Sequence, residues 1–155
     1  MSYVQKNLLA GEASVYDAKI HWFLYVPGIL ILLIGVFLMN VSSGPQDEGL
    51  VIVGLLILPF GLYSLIKAAI TQSTTELAVT TKRVIAKVGF IRRNTIELNH
   101  QKVESFNVDQ SVVGRIFGYG TITVNGTGGG KTPVPGIAKP LEYRRRAMET
   151  IDSAQ

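Results

Sequence analysis

The stretch WFLYVPGILILLIGVFLM, from Trp22 to Met39, decides the fold class, because it runs for 18 residues without a charged side chain. A second uncharged apolar stretch, LVIVGLLILPFGLYSLI, runs from Leu50 to Ile66. A helix needs ~17–25 apolar residues to cross a hydrocarbon core of ~30 Å, and both stretches are long enough. The sequence therefore predicts a transmembrane helical hairpin over residues 21–70, with spans of about 22–39 and 50–69.

A buried core helix and a cleaved signal peptide are the alternative explanations of these stretches. A chain of 155 residues has too little other material to cover two helices that are apolar all round. A mostly polar leader, residues 1–20, precedes the first stretch, and no A-x-A-like cleavage site follows it. Membrane insertion is therefore the preferred interpretation.

The charges around the two spans predict their orientation. Basic residues lie before the first span and at or soon after the end of the second: Lys6, Lys19, Lys67, Lys82 and Arg83. The connecting segment, residues 40–49, carries Asp47 and Glu48 and no lysine or arginine. Because short loops rich in lysine and arginine stay on the cytoplasmic side, we expect a multi-pass protein with both termini in the cytoplasm.

Small residues recur every seven positions within the spans: Gly28, Gly35, Gly54, Gly61 and Ala68. Seven residues are about two helical turns, so each helix presents a stripe of small residues that permits close helix–helix approach. We expect the stripes to pack the hairpin. A face for homo-oligomerisation or for other membrane proteins is the alternative.

The remaining residues, 74–155, change from a helical to an alternating pattern. Strands are predicted at residues 76–80, 83–88, 95–99, 103–108 and 121–125, with turn signals between them. Between the last two strands, the segment SVVGRIFG (111–118) is expected to form an irregular turn that carries an apolar plug. The sequence leaves open whether the leader, residues 1–20, joins this β-rich domain.

A closing amphipathic helix is predicted from Pro140 onward, because proline suits the first turn of a helix. Four apolar residues are expected to share its inner face: Leu141, Ala147, Met148 and Ile151. Glu142 and Glu149 stand four residues from Arg146 and Arg145, which favours two ion pairs along the helix. Arg144 is expected to lay its aliphatic stem against the β-core.

The order of these parts resembles the bacterial membrane-anchored pleckstrin-homology (PH) domain family. The motifs that carry the resemblance are LAGE (9–12), HW (21–22), LAVTTKRVI (77–85), GFIRR (89–93), VESFNV (103–108) and VGRIFGYGTI (113–122). The resemblance implies a PH-like antiparallel β-barrel or sandwich of seven strands, capped by the C-terminal helix. It also implies a protein of the bacterial cytoplasmic (inner) membrane, and it says little about the ligand.

No catalytic, metal or cofactor site is predicted. The chain has no cysteine and two histidines, His21 and His100, neither in a cluster with catalytic or metal-ligand spacing. The glycines before Lys131 fail the phosphate-loop spacing, because Asn125 stands where the first glycine is required and Pro133 follows where a helix should begin.

The basic residues of the domain are the remaining candidates for a site. Residues 74–155 hold twelve basic and seven acidic residues, an excess of five positive charges. Five of the basic residues cluster around the second predicted strand and its flanking turns: Lys82, Arg83, Lys87, Arg92 and Arg93. We predict that they bind anionic lipid headgroups. A solvated face that merely keeps the domain soluble is the alternative.

Two functions follow from the sequence. The first is a non-enzymatic binding or scaffold module that presents its β-domain to protein partners and anionic lipid. The second is an accessory or structural subunit of a larger homo- or hetero-oligomeric membrane complex, without specific lipid recognition. Nucleic acid is not an expected partner, because no aromatic residues are interleaved with the basic ones.

Overall fold

The computed structural model describes residues 3–41, 48–90 and 93–153. It divides the chain into two compact units. One is formed by Met1–His21 together with Thr71–Gln155, and the other by Trp22–Ile70. Residues from both sides of the apolar hairpin therefore build a single β-rich unit.

The helical unit contains the two apolar stretches. A 3-10 turn, Trp22–Tyr25, leads into helix α1, Val26–Val41, and helix α2 runs over Glu48–Thr74. The segments Trp22–Val41 and Glu48–Thr74 each have a mean hydropathy of 2.4 over their most apolar window, of which 11% is buried. By length and composition both could cross a membrane, which suggests membrane association.

Glycines mark the close approach between α1 and α2. Gly28, Gly35, Gly54 and Gly61 are buried, and so is Ala68. A Cβ added at Gly54 would lie 2.8 Å from the carbonyl oxygen of Gly35, and one added at Gly61 would lie 2.7 Å from the side chain of Leu32. The small-residue stripes thus face the partner helix of the same hairpin.

Among its described residues, the β-rich unit has seven strands in two antiparallel sheets. The first sheet has the order β1-β2-β3-β4, and its strands are Ser14–Asp17, Glu76–Thr80, Arg83–Val88 and Asn94–Asn99. The second has the order β5-β6-β7, and its strands are Val103–Asp109, Tyr119–Gly126 and Lys131–Ala138. Three short helices accompany them: α3, Tyr3–Lys6; α4, Val112–Phe117; and the closing α5, Pro140–Ser153.

The two sheets do not close into a barrel. Within the described part of the chain, β4 and β5 belong to different sheets and are joined by the 3-10 turn His100–Lys102. At the other side the chain after β1 crosses to the second sheet, where Ile20 forms an isolated bridge with Ile137. The structure is therefore an open arrangement of mixed helix and antiparallel sheet, and the closed-barrel form of the prediction is wrong.

The leader supplies one strand and one short helix of the β-rich unit. Strand β1 pairs with β2, and Ser14 stands opposite Thr80. On the outer face of the first sheet, Val4 of α3 packs against Ala78 and Ile85, all three buried. This contact explains why three successive residues of β3 are buried where an alternating strand would expose one.

Strand β7 has an alternating pattern that its prolines conceal. Thr132 and Val134 are buried, whereas Pro133 and Pro135 face outward. The strand lies at the edge of the second sheet, where a proline without an N–H is tolerated. Lys131 begins this strand, whereas the lysine of a phosphate loop stands at the start of a helix.

Helix α5 closes the core through residues that the sequence partly identified. Tyr143, Ala147 and Ile151 are buried, whereas Leu141 is 60% and Met148 39% exposed, so the predicted inner face is rotated. Arg144 is exposed, and its predicted packing against the core is not observed. Both predicted ion pairs form: Arg146 Nη2 lies 2.9 Å from Glu142 Oε1, and Arg145 Nε lies 3.9 Å from Glu149 Oε1.

Candidate functional site

The carboxylate of Glu12 in the β-rich unit accepts four hydrogen bonds, although its side chain is 0% exposed. Its Oε2 accepts a hydrogen bond from the backbone N–H of Leu9 at 2.7 Å, and its Oε1 accepts one from Thr80 Oγ1 at 2.6 Å. Arg83 donates to both oxygens, from Nε at 3.0 Å and from Nη2 at 3.1 Å. A buried charge is tolerated because every acceptor direction is used.

Arg83 joins the leader to two strands of the first sheet. Besides Glu12, its Nη2 donates to the backbone oxygen of Asn7 at 2.7 Å, and its Nη1 pairs with Glu97 of β4. Burial by itself raises the pKa of Glu12, but the hydrogen bonds from Leu9, Thr80 and Arg83 outweigh it and hold that pKa below 4.5. The hydrogen bond to Glu12 raises the pKa of Arg83.

Two more of the predicted lipid-binding residues also contact the leader. Lys82 Nζ donates to the backbone oxygen of Ala10 at 3.0 Å. Lys87 Nζ lies 3.6 Å from Glu76 Oε1 and 4.8 Å from the ring centroid of Tyr3. We call the set formed by Glu12, Lys82, Arg83, Lys87 and Glu97 the leader clamp.

The structure describes one of the other two predicted residues. Arg93 is exposed, just before β4. Arg92 lies outside the described residues. Three of the five predicted cations thus contact the leader, and Arg83 and Lys87 also pair with carboxylates of the same chain. Lipid binding by these residues stays a prediction.

An open depression of about 430 Å³ lies beside the leader clamp. It is lined by Leu9, Thr81, Lys82, Arg83, Asn99, His100 and Gln101. His100, which the sequence placed in a polar turn, is buried, and its Nε2 lies 3.0 Å from the backbone oxygen of Thr80. Across the described ranges, no group of three or more histidine and acidic side chains could hold a metal ion.

A second unusual surface is formed by α4. Val112 and Ile116 are each 74% exposed and Val113 is 44% exposed, so the expected apolar plug is absent. The inward residue is Gly114, where an added Cβ would lie 2.6 Å from the backbone oxygen of Tyr119. We call the outward side chains of Val112, Val113, Ile116 and Phe117 the α4 ridge.

Local sequence builds α4 as a defined helix. Ser111 caps its N-terminus, because Ser111 Oγ accepts a hydrogen bond from the Gly114 N–H at 3.1 Å. Gly118 ends it in the left-handed conformation, with φ of 76°. Gln110 Nε2 donates to the Tyr119 backbone oxygen at 3.0 Å and holds the helix against β6. The apolar side chains are therefore presented outward by a capped element.

The comparisons with known proteins place this architecture. A family model described as Bacterial PH domain matches residues 24–148. The chain belongs to the bacterial PH domain family. The match covers the helical hairpin and most of the β-rich unit of this bacterial PH domain protein, whereas Glu12 and the rest of the leader precede it. No curated protein and no solved structure matches the chain at a significant level.

The sequence pointed to the leader clamp without disclosing its role. The LAGE and LAVTTKRVI motifs, which carried the family resemblance, contain its central partners, Glu12 and Arg83. These two residues are 71 positions apart in the sequence, and the whole helical hairpin lies between them in the chain. Glu12 is one of two acidic residues in the mostly polar leader, and nothing else in the sequence indicated that it would be buried.

Proposed function

We propose that this bacterial PH domain protein is a non-enzymatic, membrane-anchored scaffold that presents its β-rich unit to protein partners and to anionic lipid. A binding or scaffold role in general follows from its PH-like domain. The membrane anchor, the partners and the lipid are the finer parts of the proposal. Each is supported by a separate feature of the chain.

The observation that carries the proposal is the double attachment of the β-rich unit to the apolar hairpin. Strand β1 precedes the hairpin and β2 follows it, and the two strands pair with each other. Helix α2 ends at Thr74 and β2 begins at Glu76, so no flexible linker separates them. The chain therefore leaves the β-rich unit for the hairpin and returns to it, and a domain tethered at two points suits a scaffold.

The orientation in the membrane is proposed from charge. The basic flanks of the hairpin and the acidic connecting segment favour a cytoplasmic β-rich unit in the bacterial inner membrane. The chain lacks cysteine, so single cysteines can report on this topology. In intact cells, a membrane-impermeant maleimide should label Ser43→Cys and spare Gly128→Cys until the cells are lysed. The reverse pattern, or protection of both, would overturn the proposed topology.

Anionic lipid is supported by the positive excess of residues 74–155. Because Arg83 and Lys87 pair with carboxylates of the chain, and Lys82 donates to the Ala10 backbone oxygen at the far end of β2 from α2, the lipid contribution is assigned mainly to Arg93. A basic residue near an anionic leaflet contributes ~1 kcal/mol, enough to bias the orientation of the domain and too little to select one headgroup.

Protein partners are supported by the arithmetic of confinement. A partner in the same leaflet meets an anchored domain at a high effective concentration, so a weak contact suffices. Within this proposal the specificity of the scaffold comes from the β-rich unit, and the membrane supplies proximity.

The experiment is native mass spectrometry of the full-length protein in lipid nanodiscs that contain anionic and zwitterionic lipid. Retained anionic lipid should fall on Arg93→Gln and should stay unchanged on Arg144→Gln, a control on α5 of equal charge. An equal loss of anionic lipid in both variants would mean that lipid retention depends on net charge alone and not on Arg93. If none of the proteins retains a preferred lipid, the proposed binding of anionic lipid is wrong.

The same spectra test the alternative, an accessory subunit of a larger membrane complex without lipid recognition. A defined homo-oligomer, or an added protein, with no preferred lipid would favour it. The small-residue stripes give this alternative less support, because Gly35 and Gly54 face each other within one hairpin. An oligomer would then have to use other surfaces of the chain.

A further inference from the structure

We infer that the α4 ridge inserts into the headgroup region of the same bilayer that receives α1 and α2. This inference rests on the proposed membrane anchor and adds a specific contact to it. The occupant of the ridge is thus a lipid surface, reached by side chains that the anchor alone does not require.

Exposure is the first step of the argument. The ridge is built on a capped helix whose glycine packs inward, and among the described residues Val112 and Ile116 remain 74% exposed and Val113 44% exposed. A contiguous exposed apolar surface on an ordered element marks a binding site for a protein or a membrane. Apolar side chains of an interfacial element can enter the headgroup and acyl boundary by ~5–10 Å.

The covalent path of the chain is the second step. His21 is the last residue before the apolar segment that begins at Trp22. Its ring stacks on that of Tyr119, with centroids 5.6 Å apart, and its backbone N–H donates to Gly136 at 2.7 Å. Tyr119 follows α4 by two residues. The end of the β-rich unit that carries α4 is therefore the end from which the chain enters the first apolar helix.

Charge is the third step, and it favours lipid over a neutral apolar partner. Arg115 lies within α4 and is exposed, and Lys19 is exposed near His21. Within the described part of the chain, neither forms an ion pair. A depression of about 450 Å³ beside them is lined by Lys19 and Lys139 and also by Asp17 and Glu142. Lys139 Nζ lies 3.7 Å from Glu142 Oε2, so the basic contribution comes from Arg115 and Lys19. Apolar side chains with basic residues beside them are the combination that binds an anionic interface.

Depth-dependent quenching tests the inference on the full-length protein in vesicles of zwitterionic and anionic lipid. Single cysteines at Val112→Cys and Ile116→Cys carry an environment-sensitive fluorophore, and lipids brominated near the headgroup act as the quencher. Both sites are highly exposed, so the substitutions leave the fold intact. Gly128→Cys is the matched control, because an added Cβ there meets nothing within 4 Å.

Gly128 lies in the turn at the opposite end of β6 from α4. Eight residues of strand extend ~26 Å, which is beyond the reach of a shallow lipid quencher. We expect quenching at positions 112 and 116 several-fold above that at 128. Quenching at 112 and 116 no greater than at 128 would overturn the inference and would assign the ridge to a protein partner.

A fourth label separates this inference from the proposed anchor. Leu56→Cys lies in α2, where the side chain is exposed and should face lipid in a spanning helix. Quenching at 56 by deeply brominated lipid without quenching at 112 or 116 sinks only the ridge insertion. Absence of quenching at 56 sinks the proposed anchor itself, and the ridge insertion with it.

Discussion

The leader clamp and the α4 ridge depart from the usual distribution of side chains in opposite directions. The clamp buries a carboxylate, Glu12, and provides it with four donor contacts from the same chain. The ridge exposes valine and isoleucine on a helix that is capped at both ends. One region thus completes its bonding inside the β-rich unit, and the other does not.

The difference teaches how to separate structural from functional residues in this protein. Basic residues that looked like a lipid site include a guanidinium, that of Arg83, which carboxylates of the chain already occupy. Apolar residues that looked like part of a core are exposed on the α4 ridge. Whether a side chain already has a partner within the chain, rather than its chemical type, separates a structural residue from a candidate binding residue.

The largest expected effect comes from breaking the clamp. Glu12→Ala should lower the free energy of unfolding of the β-rich unit by ~3–5 kcal/mol, because it leaves the buried Arg83 without its main partner. The measurement is urea unfolding of the full-length protein in nanodiscs, monitored through hydrogen exchange of the β1 and β2 amides. The control is Glu149→Ala, which removes an exposed helical ion pair worth ~0.5 kcal/mol or less.

Equal losses for Glu12→Ala and Glu149→Ala would contradict the contrast between a clamp and a solvated pair. A loss at Glu12 confined to exchange of β1, with β2 still protected, would show that the leader opens separately from the rest of the sheet. Either result is read from the same exchange experiment.

Acid should weaken the same clamp. The folded pKa of Glu12 is depressed below its ordinary value of 4.5, so its contribution to stability is complete above about pH 4.5 and is lost as pH falls through the folded pKa. The protection factors of the β1 amides, which correct for the pH dependence of intrinsic exchange, should therefore fall in acid. Glu12→Gln should remove this additional acid step, and an unchanged acid step in that variant would assign it to another carboxylate.

An intermediate effect is expected at the base of α4. Gly114→Ala should destabilise the β-rich unit by ~1–3 kcal/mol, because the new Cβ would lie 2.6 Å from the Tyr119 backbone oxygen. Gly128→Ala is the control, with open space around the added Cβ. Urea midpoints of the two variants provide the measurement, and coincident midpoints would contradict the tight seating of α4.

The smallest effect on stability is expected on the ridge itself. Ile116→Ala should change the free energy of unfolding by less than ~0.5 kcal/mol, because its side chain is largely exposed. Ile122→Ala, at a fully buried isoleucine of β6, should cost ~2–5 kcal/mol. Urea unfolding in detergent, without a bilayer, is the appropriate comparison. A large loss at Ile116 there would mean that the ridge packs within the chain.

The elements with strong local periodicity were predictable. Five strands, the closing helix, both apolar helices and two helical ion pairs follow from patterns of a few residues. Strand β1 was missed because four residues carry too short a pattern, and β7 because its outward positions hold prolines. The sheet edges that accommodate both strands exist only in the folded unit.

The candidate site was less predictable than the fold. The sequence identified a cluster of cations but could not show that Arg83 meets Glu12 and Glu97, since no local pattern reports pairing across 71 residues. It likewise assigned the apolar side chains of α4 to the interior. Gly114 reversed that assignment, because a glycine permits the closest approach to β6 and turns its larger neighbours outward.

The sequence by itself determined the elements and the family: two apolar helices, an alternating β-region and a closing helix, all encoded by hydrophobic patterns within single segments. Only the tertiary structure decided that the leader completes the first sheet across the hairpin, that Arg83 is committed to Glu12, and that the α4 ridge faces outward. Those outcomes depend on contacts between segments distant in sequence, where burial and bonding are shared by both partners and belong to neither alone.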